Sequence, residues 1–167
     1  MSRNVARFHF RNRADRRVAL AALALALGSL VQAQGAPRPE QLIKWRQSAF
    51  QLISWNTQRL KVAVASQGDV REIQAAANTL AAVAASGIPD LFAPGTEHGK
   101  GWRETTAAEA VFKDAARFRS QSDEFSREAA LLARLAAGTD RAAIKDQFTK
   151  VAKTCKSCHD KFRETER

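Results

Sequence analysis

The chain of 167 residues is long enough for one domain, and its formal net charge is +10. The first 33 residues hold six Arg and one Asp, so the rest of the chain keeps only +5 of that excess. In this remainder the basic residues are scattered among acidic ones, without a basic stripe or an aromatic stacking platform. This pattern excludes a nucleic-acid-binding protein and is consistent with ordinary solubility or with steering toward an acidic partner.

The N-terminal segment has the pattern of an export signal. Six arginines precede an almost uninterrupted apolar run, Val18 to Val31, and small residues follow at Val31-Gln32-Ala33. The apolar run is shorter than the about 20 residues that a transmembrane helix needs, and the small residues suit a signal peptidase. We expect residues 1–33 to be a cleaved signal peptide and residues 34–167 to be a periplasmic protein without a membrane anchor.

Two helices are predicted in the first half of the mature chain. This part is rich in helix-favouring residues and shows no strand-type alternation. The first helix begins near Pro39, which suits an initial turn, and runs to about Ser66. Asp69 is the predicted N-cap of the second helix, which ends by Ser86.

A loop rich in Gly and Pro, residues 87–101, separates these helices from two more and is long enough to cover a ligand. The third helix is predicted to start within residues 104–107 and to end at Gly138. Thr139 or Asp140 caps the fourth. Because most junctions are short, neighbouring helices should run antiparallel. We therefore predict an all-α protein with an up-down-up-down four-helix bundle.

The fourth helix contains the most informative motif, Cys155-Lys156-Ser157-Cys158-His159. Two thiols three positions apart can each form a thioether with a vinyl group of haem, and the following histidine can bind the iron. No other cysteine is present to form a disulfide with either of them. The motif predicts one covalently bound haem c, with Cys155 and Cys158 as attachment points and His159 as an axial ligand.

Two other interpretations of the motif have less support. A thioredoxin-like dithiol requires a sheet of strands and helices around the cysteines, which the sequence does not predict. A zinc site would have two cysteines and one histidine close together, without a convincing fourth ligand.

The residue inventory limits what can bind the sixth position of the iron. Low-spin c-type cytochromes usually use Met or His there. The only methionine is Met1, in the predicted signal peptide, as is His9. His98, in the Gly-rich loop, is the one remaining alternative, and loop histidines are commonly exposed to solvent. A five-coordinate, mainly high-spin iron with an open distal side is the favoured prediction.

Three segments together resemble the cytochrome c′ family, the class II c-type cytochromes, which are related to cytochromes of the c-556 type. They are residues 155–163 with the haem motif, Trp45-Arg46-Gln47-Ser48-Ala49-Phe50 in the first helix, and Phe92-Ala93-Pro94-Gly95-Thr96-Glu97 in the loop. The resemblance covers residues 38 to 165. It implies a four-helix bundle with a haem against the fourth helix, and homodimers formed through the first helix.

The resemblance also implies roles for particular residues. Phe50 matches the position that faces the vacant distal side, where the low-spin relatives have Met. Arg46 matches an arginine that pairs with a haem propionate, and Gln47 matches a neighbouring polar contact of the haem. Arg163 matches a basic residue on the proximal side, and Phe92 lies in the segment near the haem edge.

These residues favour a protein that binds the diatomic gases NO and CO, NO above all, and the resemblance implies a role in NO tolerance and in electron transfer. A low-spin electron carrier of c-556 type is the alternative, and it would require His98 or another residue as the sixth ligand. A peroxidase would require a distal His or Arg, and Phe50 is neither. The expectation is therefore a haem protein that is not an enzyme, with an unidentified redox partner.

Overall fold

Helices make up most of residues 36–164, the part of the chain that the computed structural model describes. The helices are α1 (Pro39–Ala65), α2 (Val70–Ala84), α3 (Ala110–Lys113), α4 (Ala115–Ala136) and α5 (Arg141–Phe162), and a 3₁₀ turn covers Ile88–Leu91. The four long helices confirm the predicted all-α bundle. The predicted signal peptide lies outside the described residues. Within residues 36–164, no helix is long and apolar enough to cross a membrane.

The predicted helix starts are explained by the residues that begin them. Pro39 is the first residue of α1, where its missing N–H is not needed. The Asp69 carboxylate accepts a hydrogen bond from the Arg71 backbone N–H at 2.8 Å. The Asp140 carboxylate accepts one from the Ala143 N–H at 2.9 Å, which identifies Asp140 rather than Thr139 as the N-cap of α5.

The prediction for the third helix is wrong at its start. Residues 104–107 are not helical, α3 is only four residues long, and the chain bends at Asp114 before α4 begins. The backbone of this segment is bonded to the end of α5 instead. The Ala108 N–H donates to the Phe162 carbonyl at 3.0 Å, and the Glu164 N–H donates to the Thr106 carbonyl at 2.8 Å. A periodicity pattern cannot detect this competition, because the partner lies more than 50 residues away.

The packing between helices is uneven around the bundle. α2 packs extensively on both α1 and α4, and α5 packs extensively on α4, whereas α1 and α5 meet only over a short stretch. The core side chains from all four long helices include Leu60, Leu80, Leu132, Ile144 and Val151. The bundle is therefore closed least tightly between α1 and α5, the two helices on which the predicted haem contacts lie.

Loss of the Asp140 cap should weaken the helix that holds the haem motif. We expect Asp140→Ala to lower the free energy of unfolding by about 1 kcal/mol, because the Ala143 N–H loses its acceptor. Asp140→Asn is the matched control, since an asparagine amide oxygen can accept the same bond. Urea unfolding followed by circular dichroism would measure both, and equal stability of the two variants would contradict the assigned cap.

Candidate functional site

The haem motif lies in the last two turns of α5. Cys155 and Cys158 are free thiols, both half-buried, and His159 is largely exposed. Spacings of three and four residues place all three groups on one side of the helix. Cys158 packs against the apolar cluster formed by Val111, Phe118 and Phe162. Cys158 thus lies at the edge of an apolar region, where a haem macrocycle would be shielded from water.

The electrostatic surroundings of the thiols differ from those of a redox-active pair. Burial raises the pKa of Cys155, and burial together with the neighbouring Cys155 raises the pKa of Cys158 to about 11. Cysteines of dithiol catalysts instead have a lowered pKa, because the thiolate is the reactive form. These surroundings therefore do not support the dithiol alternative.

The imidazole of His159 is held toward its neutral form. Partial burial lowers its pKa, and the positive charge of Arg163 lowers it further, while Asp160 acts in the opposite direction. A neutral imidazole is the form that can bind a metal ion. Arg163, just beyond α5, is thus close enough to influence the predicted axial ligand, and its role on the proximal side of a haem stays a prediction.

Aromatic rings connect the motif helix to α1. The Phe162 and Phe118 ring centres are 5.3 Å apart, those of Phe118 and Phe92 are 4.8 Å apart, and those of Phe92 and Phe50 are 6.4 Å apart. Phe112 adds a further contact with Phe92. This series of edge-on rings provides the wall that an apolar macrocycle requires.

Phe50 itself lies on α1 and keeps 40% of its surface exposed. An aromatic side chain in a bundle helix is expected to be buried, and Phe50 instead faces an open region while Phe92 supports its ring. The predicted distal role of Phe50 requires such an open region. The structure thus brings Phe50 and Phe92 into contact, which the sequence analysis did not predict.

Arg46 is the most deeply buried charged residue of the site, with only 2% of its surface exposed. Its Nη1 donates to the Leu91 carbonyl at 3.3 Å and to Thr96 Oγ1 at 2.8 Å. Its Nη2 donates to the Thr96 carbonyl at 2.8 Å and to Thr105 Oγ1 at 2.7 Å. The guanidinium therefore joins α1 to residues 91, 96 and 105 of the long segment between α2 and α3, which includes the loop predicted at residues 87–101 and is called the loop from here on.

The Arg46 guanidinium remains a cation despite its burial. Burial lowers its pKa to about 10, and the charge of Glu97 partly offsets this effect. Among residues 36–164, no carboxylate lies within ion-pair distance of it. A buried cation that has no carboxylate at ion-pair distance favours a nearby anion, such as a haem propionate. The predicted propionate contact would add to the loop bonds or replace one of them.

Gln47 binds the second half of the loop, at residues 102 and 103. Its Oε1 accepts from the Trp102 N–H at 2.7 Å, and its Nε2 donates to the Arg103 carbonyl at 2.8 Å. The loop approaches α1 so closely here that a Cβ on Gly101 would lie 2.6 Å from Gln47 Oε1 and 2.7 Å from the backbone nitrogen of Lys44. Only glycine fits at this position. Both polar atoms of the Gln47 amide are engaged with the loop. The predicted contact of Gln47 with the haem stays a prediction.

The other predicted alternatives gain no support from the site. His98 lies exposed in the loop. Within the described range, no three or more His, Cys, Asp and Glu side chains group together as a metal site, so the zinc interpretation finds no fourth ligand there. The residues fit a haem better: two thiols, a neutral imidazole, a wall of rings and a buried cation.

Thr96, Thr105 and Trp102 contribute to the site, and sequence reasoning missed them. Thr96 is fully buried and, with Thr105, receives the Arg46 hydrogen bonds. The Trp102 indole N–H donates to Ser48 Oγ at 2.8 Å on the outer side of α1. The unusual length of the loop was the one signal in the sequence that this region has a function. Which residue a threonine hydroxyl will contact depends on the path of the loop back to the helix, and the sequence does not show that path.

Covalent attachment through both cysteines can be tested by removing them. We expect the double variant Cys155→Ala/Cys158→Ala to lose its haem in acidified acetone, whereas the unaltered protein keeps it, because thioether bonds survive denaturation. Haem absorbance of the extracted fraction measures this. Single variants are the controls and should retain the haem through one thioether. Retention of haem by the double variant would contradict the assigned attachment.

Comparisons with known proteins agree with this geometry. The family model Cytochrome C′ matches residues 41–163, which include the site helices and the loop. The cytochrome c′ of Rhodocyclus tenuis is 50% identical over 127 residues, which is 75% of this chain and 96% of the relative.

Solved structures of the same family superpose on the bundle. A cytochrome c′ described as having an unusual ligand-controlled dimer dissociation has a TM-score of 0.75 and 32% identity, covering 78% of this chain and 100% of its own. The nitric oxide complex of a mutant cytochrome c′ from Alcaligenes xylosoxidans has a TM-score of 0.69 and 29% identity, covering 79% of this chain and 100% of its own. With the haem motif on α5 inside the matched region, the chain belongs to the cytochrome c′ family, which implies haem c as its prosthetic group.

Proposed function

We propose that this protein binds small gases, nitric oxide above all, at a single five-coordinate, mainly high-spin haem c. It acts in NO tolerance in the periplasm and also takes part in electron transfer. The haem, when bound, supplies the iron that the gas binds. The observation that carries the proposal is Phe50, which lies open beside Phe92 on α1 and has no atom that can bind a metal.

The proposed distal side is lined by apolar aromatic rings. Phe50 and Phe92 offer neither a ligand nor a hydrogen-bond donor. An incoming gas must displace the Phe50 ring. Bound O₂ is bent and polar and needs a hydrogen-bond donor to stabilise it, and these two residues provide none, so NO and CO are favoured over O₂. The nitric oxide complex of the Alcaligenes xylosoxidans relative supports NO as the ligand.

The proximal side is defined by His159 and Arg163. Partial burial and the charge of Arg163 keep the imidazole neutral and able to bind iron, and two thioethers on the same helix would fix its position. Arg163 affects the electrostatics of the proximal side by lowering the pKa of His159. Because His159 is exposed, this side is accessible to small ligands.

We propose a binding role rather than catalysis. Cleavage of an O–O bond needs a distal His or Arg that can move a proton. The nearest guanidinium to the aromatic pair is Arg46, and its four terminal N–H groups already donate to the loop.

The outer face of α1 supports a homodimer. Residues 45, 48, 52, 55, 59 and 62 alternate steps of three and four, which is the spacing of a helix-pairing seam. Its large apolar members keep between 38% and 58% of their surface exposed: Trp45, Leu52, Trp55 and Val62. A groove of about 710 Å³ beside them is lined by Leu52, Trp55 and Trp102 among others. A second copy of the same seam would cover these surfaces, and the relative with a ligand-controlled dimer supports dimer formation.

Visible spectra test the proposed function directly. The purified ferric and ferrous protein should show high-spin spectra, and the ferrous spectrum should change on addition of NO. A sharp low-spin spectrum without a response to NO would overturn the proposal and favour an electron carrier with His98 or another residue as sixth ligand.

Removal of the Phe50 ring should open the distal side. We expect Phe50→Ala to bind CO about tenfold faster, which corresponds to about 1.4 kcal/mol of ring displacement removed from the activation barrier. Flash photolysis or stopped flow measures the rate. Lys61→Ala, at an exposed position of the same helix outside the seam, is the control and should leave the rate unchanged. An unchanged rate in Phe50→Ala would show that this ring does not restrict the distal side.

A charge in the seam should separate the two copies. We expect Trp55→Glu to shift the protein from dimer to monomer in sedimentation velocity, because two like charges would be buried at the centre of the interface. Gln58→Glu is the matched control, since Gln58 is exposed on the same helix but outside the seam spacing. Dimers that persist in Trp55→Glu would exclude this face as the interface.

A further inference from the structure

The clamp formed by Arg46 has an effect beyond holding the loop. Leu91 and Thr105, which both accept from its guanidinium, are 14 residues apart in sequence and enclose the loop between them. A loop of this length carries a substantial closure entropy, and few of its residues are helical. The Arg46 bonds fix both of its ends to one point on α1.

Phe92 lies at the start of this clamped segment and directly against the clamp. The Arg46 guanidinium carbon is 4.4 Å from the Phe92 ring centre, a cation–π contact. The Leu91 carbonyl, which accepts from the same guanidinium, belongs to the preceding residue. Arg46 therefore restrains Phe92 twice, through the backbone before it and through its ring.

Phe92 is in turn the residue that supports Phe50. The ring centres of Phe92 and Phe50 are 6.4 Å apart in a T-shaped arrangement. The Phe92 ring also contacts Phe118, with 4.8 Å between the two ring centres. Because Phe50 is 40% exposed, Phe92 provides the aromatic contact that restrains its ring. A shift of Phe92 would leave Phe50 free to adopt other rotamers.

We propose that Arg46 is a positioning residue for the distal aromatic pair: by clamping both ends of the loop and stacking on Phe92, it holds Phe50 in the path of incoming gases. This inference rests on the proposed gas-binding function. It assigns to Arg46 a role through the loop, in addition to the predicted contact with a propionate.

Two variants separate the clamp from the charge. Arg46→Lys keeps the cation but loses the forked donor that reaches both ends of the loop. Thr105→Val keeps Arg46 entire and removes the hydroxyl that accepts from Arg46 at 2.7 Å and from the Ala107 N–H at 3.2 Å. Thr105→Val also guards against failure of Arg46→Lys to fold. Arg127→Lys, at an exposed position on α4, is the control for an Arg-to-Lys exchange.

The first readout is independent of gas binding. Hydrogen exchange of the haem-loaded protein should become about tenfold faster in residues 91–105 of both variants, because loss of a hydrogen bond makes local opening easier. Exchange in α2 should not change. Unaltered exchange in the loop of both variants would overturn the inference.

The second readout is the rate of CO binding. Both variants should bind CO about threefold to tenfold faster than the unaltered protein, and each effect should disappear when Phe92→Ala is also present. Acceleration by Arg46→Lys alone would overturn the inference and indicate an effect of the propionate contact. Equal acceleration with or without Phe92 would overturn it as well.

The experiment distinguishes this inference from the function on which it rests. If the unaltered protein binds CO while neither variant changes the rate, only the inference is overturned. If the unaltered protein does not bind CO or NO, the proposed function is overturned, and the inference with it.

Discussion

The hydrogen bonds between one buried guanidinium and a loop hold the two sides of the haem region in relation to each other. α1 and α5 touch only over a short stretch, so their own packing cannot define the space between them. The loop connects them instead: Arg46 and Gln47 bind it to α1, and residues 106–108 bind it to the end of α5. Since these partners are carbonyls, hydroxyls and amides, the connection depends on geometry more than on charge.

The two faces of α1 serve different purposes. The inner face carries Arg46 and Phe50, which meet the loop and the aromatic rings, while the outer face carries the exposed seam around Leu52 and Trp55. Gln47, at the boundary between the faces, and Ser48, in the seam, hold Trp102 against the outer side. The same loop that supports the distal ring therefore also contributes an indole to the surface proposed for dimer contacts.

Periodicity and motif spacing predicted the bundle and the haem motif, because both depend on residues that are close in sequence. Pro39, Asp69 and Asp140 begin their helices for local reasons, and so they could be recognised. The late start of the third helix could not be predicted, since Thr106 and Ala108 bond to the end of α5 and Thr105 bonds to Gly99, instead of forming a first helical turn. Thr96 and Thr105 were missed for the same reason: hydroxyl groups find partners through tertiary structure, which spacing does not reveal. Resemblance suggested Arg46 and Phe50, but their connection through Phe92 appears only in three dimensions.

The sequence separation of the loop contacts has a consequence for the order of folding. The bonds from Arg46 join residues 45 to 59 positions apart, whereas α4 and α5 form a hairpin of neighbouring helices. Contacts distant in sequence form late, because chain entropy opposes them until the surrounding structure exists. The helical hairpin can therefore assemble while the loop is still detached from α1. The two attachment cysteines thus lie in the part of the bundle whose helix contacts are between neighbours in sequence, whereas the aromatic contacts that face them join residues 26 to 44 positions apart.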